Sequence, residues 1–267
     1  LVVLVIGRVG FSLQAGRMEN YSFTEQMLKH DNPAVSIRFA GMLVALVIAT
    51  FGAYRPTGAG IIADVGSGTP ALLCAMVAVV LSRYVNDWLI LGSVDNNEQV
   101  VKERNVAVAT VEFATYIGTA IVFVGGVSHP DNGFFYNLCW FLIGQAFLIG
   151  LSRIYALFVP KVFTEIGGGN VSCGLSLGGL MLSGSIVIGT LISGAPNGWW
   201  SDIAKVLISV AIWLVIMFVS KLVTDRLVLR GSSMRKEMVE DKNWGVGFLD
   251  GSLSLAFTVV ILMLHTS

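Results

Sequence analysis

Two carboxylates in this chain stand where carboxylates are costly. Glu112 lies seven residues into an apolar stretch that opens at Asn105, and Asp250 lies seven residues into one that opens at Asn243. At a rise of ~1.5 Å per residue, each is about 10 Å inside its segment. An acidic group at that depth in lipid costs a few kcal/mol on insertion scales, so it faces a cavity, a partner or a proton path. Left unpaired and desolvated, such a group can exchange protons near neutral pH. Arg38 is the candidate counter-ion. It precedes by one residue the matching position of an earlier segment, occupied there by Phe39, and Leu177 fills that position in a later one. Pairing Arg38 with Glu112 or Asp250 would neutralise one carboxylate and leave the other. The pattern therefore admits an ion- or proton-related site, or a buried polar clamp that fixes helix geometry.

Both carboxylates belong to a longer pattern that recurs after 138 residues: Ser82-Arg83 and Asp87 before Asn105, then Ser220-Lys221 and Asp225 before Asn243. Arg83/Asp87 and Lys221/Asp225 are spaced i,i+4 and can pair within their helices. A cation near a helix C-terminus is also favoured by the helix dipole and can snorkel to lipid phosphates. These four read as anchors at one membrane edge. Asparagine at a helix start accepts a backbone N–H of the first turn, which would otherwise enter the bilayer unpaired. Capping accounts for Asn32, Asn105, Asn170 and Asn243; anion or ion binding at the helix N-termini is the other reading.

The elements that carry these residues follow from composition. Fifty-five per cent of residues are hydrophobic and 13% charged, and apolar runs of about 20 residues recur along the chain. Each suits a helix crossing ~30 Å of hydrocarbon, and the roughly ten-residue alternating strands of a membrane barrel are absent. The chain is expected to be an all-α membrane protein with about eight spans. The first, a remnant over about 1–12, is read as truncated because the chain opens inside an apolar stretch. The others are expected at about 33–54, 71–92, 106–127, 134–160, 170–193, 202–226 and 243–264, with an exposed loop from Arg55 to Pro70. Cys74, Cys139 and Cys173 fall in apolar segments without metal-ligand spacing and are expected to be buried packing residues.

The linkers and helix ends after the odd spans hold fourteen of the 17 Lys and Arg residues, against Arg55 and Lys205 on the other side. The positive-inside rule makes these linkers cytoplasmic, with the alternate loops outside, in a cell (inner) membrane. Trp199 and Trp200 suit an outer aromatic belt, Trp88 and Trp244 an inner one.

A fourfold repeat underlies this topology. Each unit is a span ending small-then-basic (Gly7-Arg8, Ser82-Arg83, Ser152-Arg153, Ser220-Lys221), a linker, and a returning span opened by Asn. The Asn-to-Asn steps are 73, 65 and 73 residues. Two spans per unit give every copy the same orientation, so the repeats are parallel. Two tandem four-helix domains result, 1–127 and 128–267, each of two helix hairpins. Rows such as Gly174-xxx-Gly178, Gly179-xxx-Ser183 and Ser185-xxx-Gly189 suit close backbone packing, so the returning spans are expected to be the inner helices.

The small-basic helix end, the charged linker and the Asn start, best seen in Val101-Lys102-Glu103-Arg104-Asn105-Val106-Ala107-Val108 and Val239-Glu240-Asp241-Lys242-Asn243-Trp244-Gly245-Val246, resemble the bacterial inner-membrane family "domain of unknown function 350". Members are typically half as long, with four spans, and this chain resembles two of them fused. Pro33 after Asn32 and the Gly run before Asn170 depart from the pattern. The resemblance implies architecture and brings no catalytic residues.

No nucleophile elbow or phosphate loop is present, and His30, His129 and His265 lack metal-ligand spacing. An enzyme, a cofactor and a metal site are not expected. Zero net charge gives no electrostatic case for nucleic acid. The expected partners are the bilayer and, through the Gly-rich helices, further copies or other membrane subunits. Two function classes stay open. One is a channel- or transporter-like protein moving protons or small cations past Glu112 and Asp250. The other is a non-enzymatic membrane scaffold or complex subunit. Matching carboxylates in two repeats lean toward transport.

Overall fold

A computed structural model describes residues 22–54, 60–92, 95–127 and 133–266. The span expected at 1–12, Arg8, Arg17, Arg55 and His129 lie outside them. The described residues form ten α-helices and no strand: α1 Phe23–Leu28, α2 Pro33–Ala53, α3 Ile61–Val85, α4 Asn96–Val101, α5 Val106–Gly126, α6 Phe134–Phe158, α7 Val162–Gly167, α8 Val171–Leu191, α9 Trp199–Leu227 and α10 Trp244–Thr266. Two π-helical turns, Asn86–Ile90 and Lys236–Glu240, complete the linker side. Seven of the helices are long and apolar enough to cross a membrane.

Three of the four returning spans begin with a side-chain cap, whereas Asn243 offers Val246 N and Gly247 N its backbone carbonyl instead. Asn32 accepts from Ala34 N and Val35 N, Asn105 from Val108 N and Asn170 from Cys173 N. Pro33 at the first helical position removes a donor that had no partner there, so it fits the cap. The residue before each Asn takes a left-handed backbone: Asp31 (φ 45°), Arg104 (52°), Gly169 (83°) and Lys242 (51°). The Gly run before Asn170 thus places at this corner the one residue type that adopts it without steric cost.

The four returning helices stand side by side in the order α2, α5, α8, α10. Contacts near their starts (Ala107 with Gly174) and near their ends (Gly125 with Gly189) run in the same sense, so the helices are parallel. Over their most apolar stretch α5 and α8 are 78% and 72% buried, against 44% and 33% for α2 and α10, which puts α5 and α8 at the centre of the row. The outgoing helices cover its grooves: α3 lies against α2 and α5, α6 against α5 and α8, and α9 against α8 and α10.

Lipid gives helices no hydrophobic reason to associate, so the row depends on close backbone approach. One register recurs at all three steps. The residue nine past Asn meets the residue eight past Asn on the next helix: Gly41 with Phe113, Ala114 with Gly178, Gly179 with Gly251. A Cβ on Gly41 would lie 2.6 Å from Phe113 Cα, and one on Gly179 2.3 Å from Gly251 Cα.

Two expectations need correction. Residues 61–70 are helical, with Pro70 inside α3, not an exposed loop. Proline inside a helix frees the carbonyl four residues back, here that of Gly66, and transmembrane helices tolerate this where neighbouring groups re-satisfy it. Cys74 and Cys139 are exposed, and only Cys173 is buried. The first two sit on outgoing helices, whose apolar residues have lipid to face.

Gly179→Ala is expected to destabilise the protein by about 1–3 kcal/mol, because its methyl meets backbone that cannot yield. Gly150→Ala on α6, where a Cβ meets nothing within 4 Å, should not lower stability. Thermal inactivation of the two purified variants in one detergent measures the contrast.

Candidate functional site

Glu112, on α5, is paired with Arg38 on α2. Arg38 Nη2 donates to Glu112 Oε1 at 2.8 Å, and Nε donates to the other carboxylate oxygen. Arg38 is 3% exposed and Glu112 1%. The remaining guanidinium donors reach α4: Nη1 to Asn97 Oδ1 at 2.9 Å and Nη2 to Asn96 O at 2.8 Å. Asn96 Nδ2 in turn donates to Asp87 Oδ1 at 2.7 Å. A planar fork suits this site because it answers one carboxylate on two oxygens and still has donors for the linker.

Asp250, on α10, has different partners. Lys221 Nζ, on α9, lies 2.5 Å from each carboxylate oxygen. The Ser176 hydroxyl on α8 donates to Asp250 Oδ2, and Ser176 is itself hydrogen-bonded to the Tyr155 hydroxyl on α6. The ammonium lies 5.1 Å from the Tyr155 ring centroid, within reach of a cation–π attraction. Asp250 is buried like Glu112, whereas the Lys221 side chain is 23% exposed.

The two clamps occupy one register. The residue six past Asn faces the residue seven past Asn on the next helix: Arg38 to Glu112, then Ser176 to Asp250. At the middle step the same positions are Val111 and Leu177, both fully buried. An ion pair thus ties the first pair of returning helices and a serine–carboxylate hydrogen bond the last, while the centre is apolar.

Several sequence expectations change here. Lys221 does not act as an edge anchor paired with Asp225. Its four-carbon stem reaches inward to a deeper charge, and Asp225 instead accepts from Met234 N at 2.8 Å. Asp87 accepts from Asn96, and the Arg83 side chain lies outside the described residues. Arg38 resolves onto Glu112, which leaves Asp250 to Lys221. Sequence reasoning missed Lys221, Ser176 and Tyr155 as partners of Asp250. Ser176 was within reach, since it occupies in its unit the place of Arg38.

The asparagines also do more than cap. Asn32 Nδ2 donates to Val100 O and Val101 O at 3.0 and 3.2 Å, Asn105 Nδ2 to Ile166 O and Gly167 O at 2.9 and 3.1 Å, and Asn170 Nδ2 to Met238 O at 2.9 Å. Each acceptor lies in the linker of the following unit. Each amide also reaches its own linker, at Gln26, Gln99, Glu165 and, for Asn243, Glu237. Buried carbonyls at linker-helix ends are satisfied this way, and adjacent units are fastened. The exposed linker pairs Lys29–Glu25 and Lys102–Glu98, both 3.0 Å, add little to stability. The ammonium hydrogen bonds hold the Glu25 carboxyl below its usual range and Lys102 above.

The sequence model of the family described as Domain of Unknown Function (DUF350) matches the chain twice, over residues 1–127 and 130–264. The chain belongs to this family. Within DUF350 terms, the two charge clamps fall one in each matched segment, and the apolar Val111–Leu177 step lies between segments. A UPF0719 transmembrane protein of Aquifex aeolicus (strain VF5) is 25% identical over 194 residues, covering 71% of this chain and 69% of that protein. No solved structure matches.

Removing one partner of a buried ion pair leaves an uncompensated charge, at a cost of about 3–5 kcal/mol, whereas a well-packed apolar replacement of both is often neutral. Arg38→Met alone should therefore destabilise strongly, and Arg38→Met with Glu112→Leu should recover most of the loss. The fraction remaining soluble and monodisperse after heating, measured for the single and double variants, checks it.

Proposed function

We propose that this integral membrane protein is a non-enzymatic scaffold or subunit of a membrane complex, whose working part is its row of parallel helices. The observation that carries this reading is the pairing of both lipid-depth carboxylates. Each is about 1% exposed and matched by a cation from a neighbouring helix. Such groups hold elements in register. A carboxylate that passes protons or cations must exchange partners with water, whereas Glu112 is held on both oxygens by one guanidinium that is itself tied to α4.

One observation favours the transport reading, in the second half only. Lys221 and Tyr155 help to line a cavity of about 160 Å³ with Leu151, Leu180, Met217 and Met238. The Lys221–Asp250 pair, beside this cavity, is where proton or small-cation movement would run.

Glu112→Gln and Asp250→Asn separate the two. For a scaffold, proteoliposomes of wild type show no proton flux above empty vesicles, and the variants lose assembly on native gels. A pH-dependent flux in wild type, abolished in Asp250→Asn with assembly intact, would establish transport instead. The excess of basic residues supports a cytoplasmic position for the linkers in an inner membrane. In intact cells a membrane-impermeant thiol reagent should then label Asn197→Cys and not Ser233→Cys, and the reverse would invert the topology.

A further inference from the structure

Among the described residues the helix row has two open sides, and their residues repeat the ones that form its internal steps. On α10 the face matching that by which α5 meets α8 carries Gly245, Phe248, Ser252 and Ala256, at two, five, nine and thirteen past Asn243. The equivalents on α5 are Ala107, Thr110, Ala114 and Gly118, three of which meet Gly174 or Gly178 and the last Ser185 of α8. On α2 the receiving face carries Ser36 and Ala40, four and eight past Asn32, equivalent to Gly174 and Gly178 on α8. Gly245, Phe248, Ala256 and Ala40 are exposed, and Ser252 and Ser36 half-buried.

We infer that the α10 face of one chain docks on the α2 face of a second copy, continuing the row head to tail. The inference rests on the scaffold reading and names its partner. Three features of the internal steps carry over. First, the nine-to-eight register, held at Gly41/Phe113, Ala114/Gly178 and Gly179/Gly251, brings Ser252 onto Ala40, two small residues that permit the same backbone approach. Second, the six-to-seven level brings Leu249 onto Phe39. That is an apolar match like Val111 on Leu177, so the contact between copies copies the step between the two matched segments and buries no unpaired charge. Third, each earlier cap amide donates to the following unit's linker-helix end. Asn243, whose side chain is exposed and bonded to Glu237, would donate to Met27 or Leu28 of the second copy, which stand five and four before Asn32 as Val100 and Val101 stand before Asn105. The surfaces in contact differ on the two copies, so the interface is heterologous and builds a closed ring or an open row.

The test is disulfide trapping in native membranes, with Cys74 and Cys139 replaced by Ser and buried Cys173 kept. Two differently tagged full chains, one with Ala40→Cys and one with Ser252→Cys, are co-expressed and oxidised with copper phenanthroline. Ala114→Cys with Gly178→Cys in one chain serves as the internal reference, since a Cβ on Gly178 lies 3.5 Å from Ala114 Cβ. The expected result is a mixed-tag dimer at least tenfold above either variant alone. A reference disulfide without the mixed dimer, or predominant same-tag dimers, overturns the inference. Mass in polymer-excised lipid discs is an independent readout. Two or more wild-type copies should fall to one on Ser252→Trp, and a single wild-type copy overturns the proposal whatever the trapping shows. Failure here leaves the scaffold reading standing, because that reading fails on flux and not on copy number.

Discussion

The structure depends on how helices hold together where there is no water to expel. Packing four parallel helices in lipid yields little from apolar burial, so contact must come from backbone approach and from bonds stronger than the lipid alternative. The chain supplies both at fixed distances from one residue. Counting from Asn, the ninth position meets the eighth of the next helix, the sixth meets the seventh, and the amide itself meets the following linker. Shifting any returning helix by one residue would break all three matches together.

That regularity explains why the architecture was legible from sequence. The four asparagines mark the start of each returning span, and their spacing carries the repeat, the parallel orientation and the small-residue faces. Asn32, Asn105 and Asn170 behave as a residue at a lipid-side helix start must. What the pattern hid was reach across helices. Lys221 precedes Asp225 by one turn and reads as its partner, yet a flexible ammonium follows the deeper carboxylate. Serine at 176 carries no charge to flag it, although its place in the unit is that of Arg38. Gly66, Gly68 and Pro70 read as loop because those residues break helices in water, where freed backbone groups have other partners. Inside a membrane the helix persists.

The clamps divide labour by position. In the first half, arginine ties carboxylate, α4 and, through Asn96, the turn at Asp87 into one network. In the second, the same register uses serine, and the cation comes from an outgoing helix beside a cavity. The two halves share backbone geometry and differ in how sealed their ion pairs are. Two tandem copies of one fold thus differ in that one buries its ion pair and the other leaves its lysine partly exposed.

The four returning helices are parallel and their peptide dipoles add within the row, while the outgoing helices run the other way and offset them. Each N-terminus carries roughly half a positive charge and each C-terminus half a negative one, so at the linker edge the two sets of helix ends nearly balance and side chains set the field. The linkers place most of the basic residues at that same edge. Those basic side chains should draw anionic headgroups to one leaflet, an attraction that turning the molecule over would forfeit.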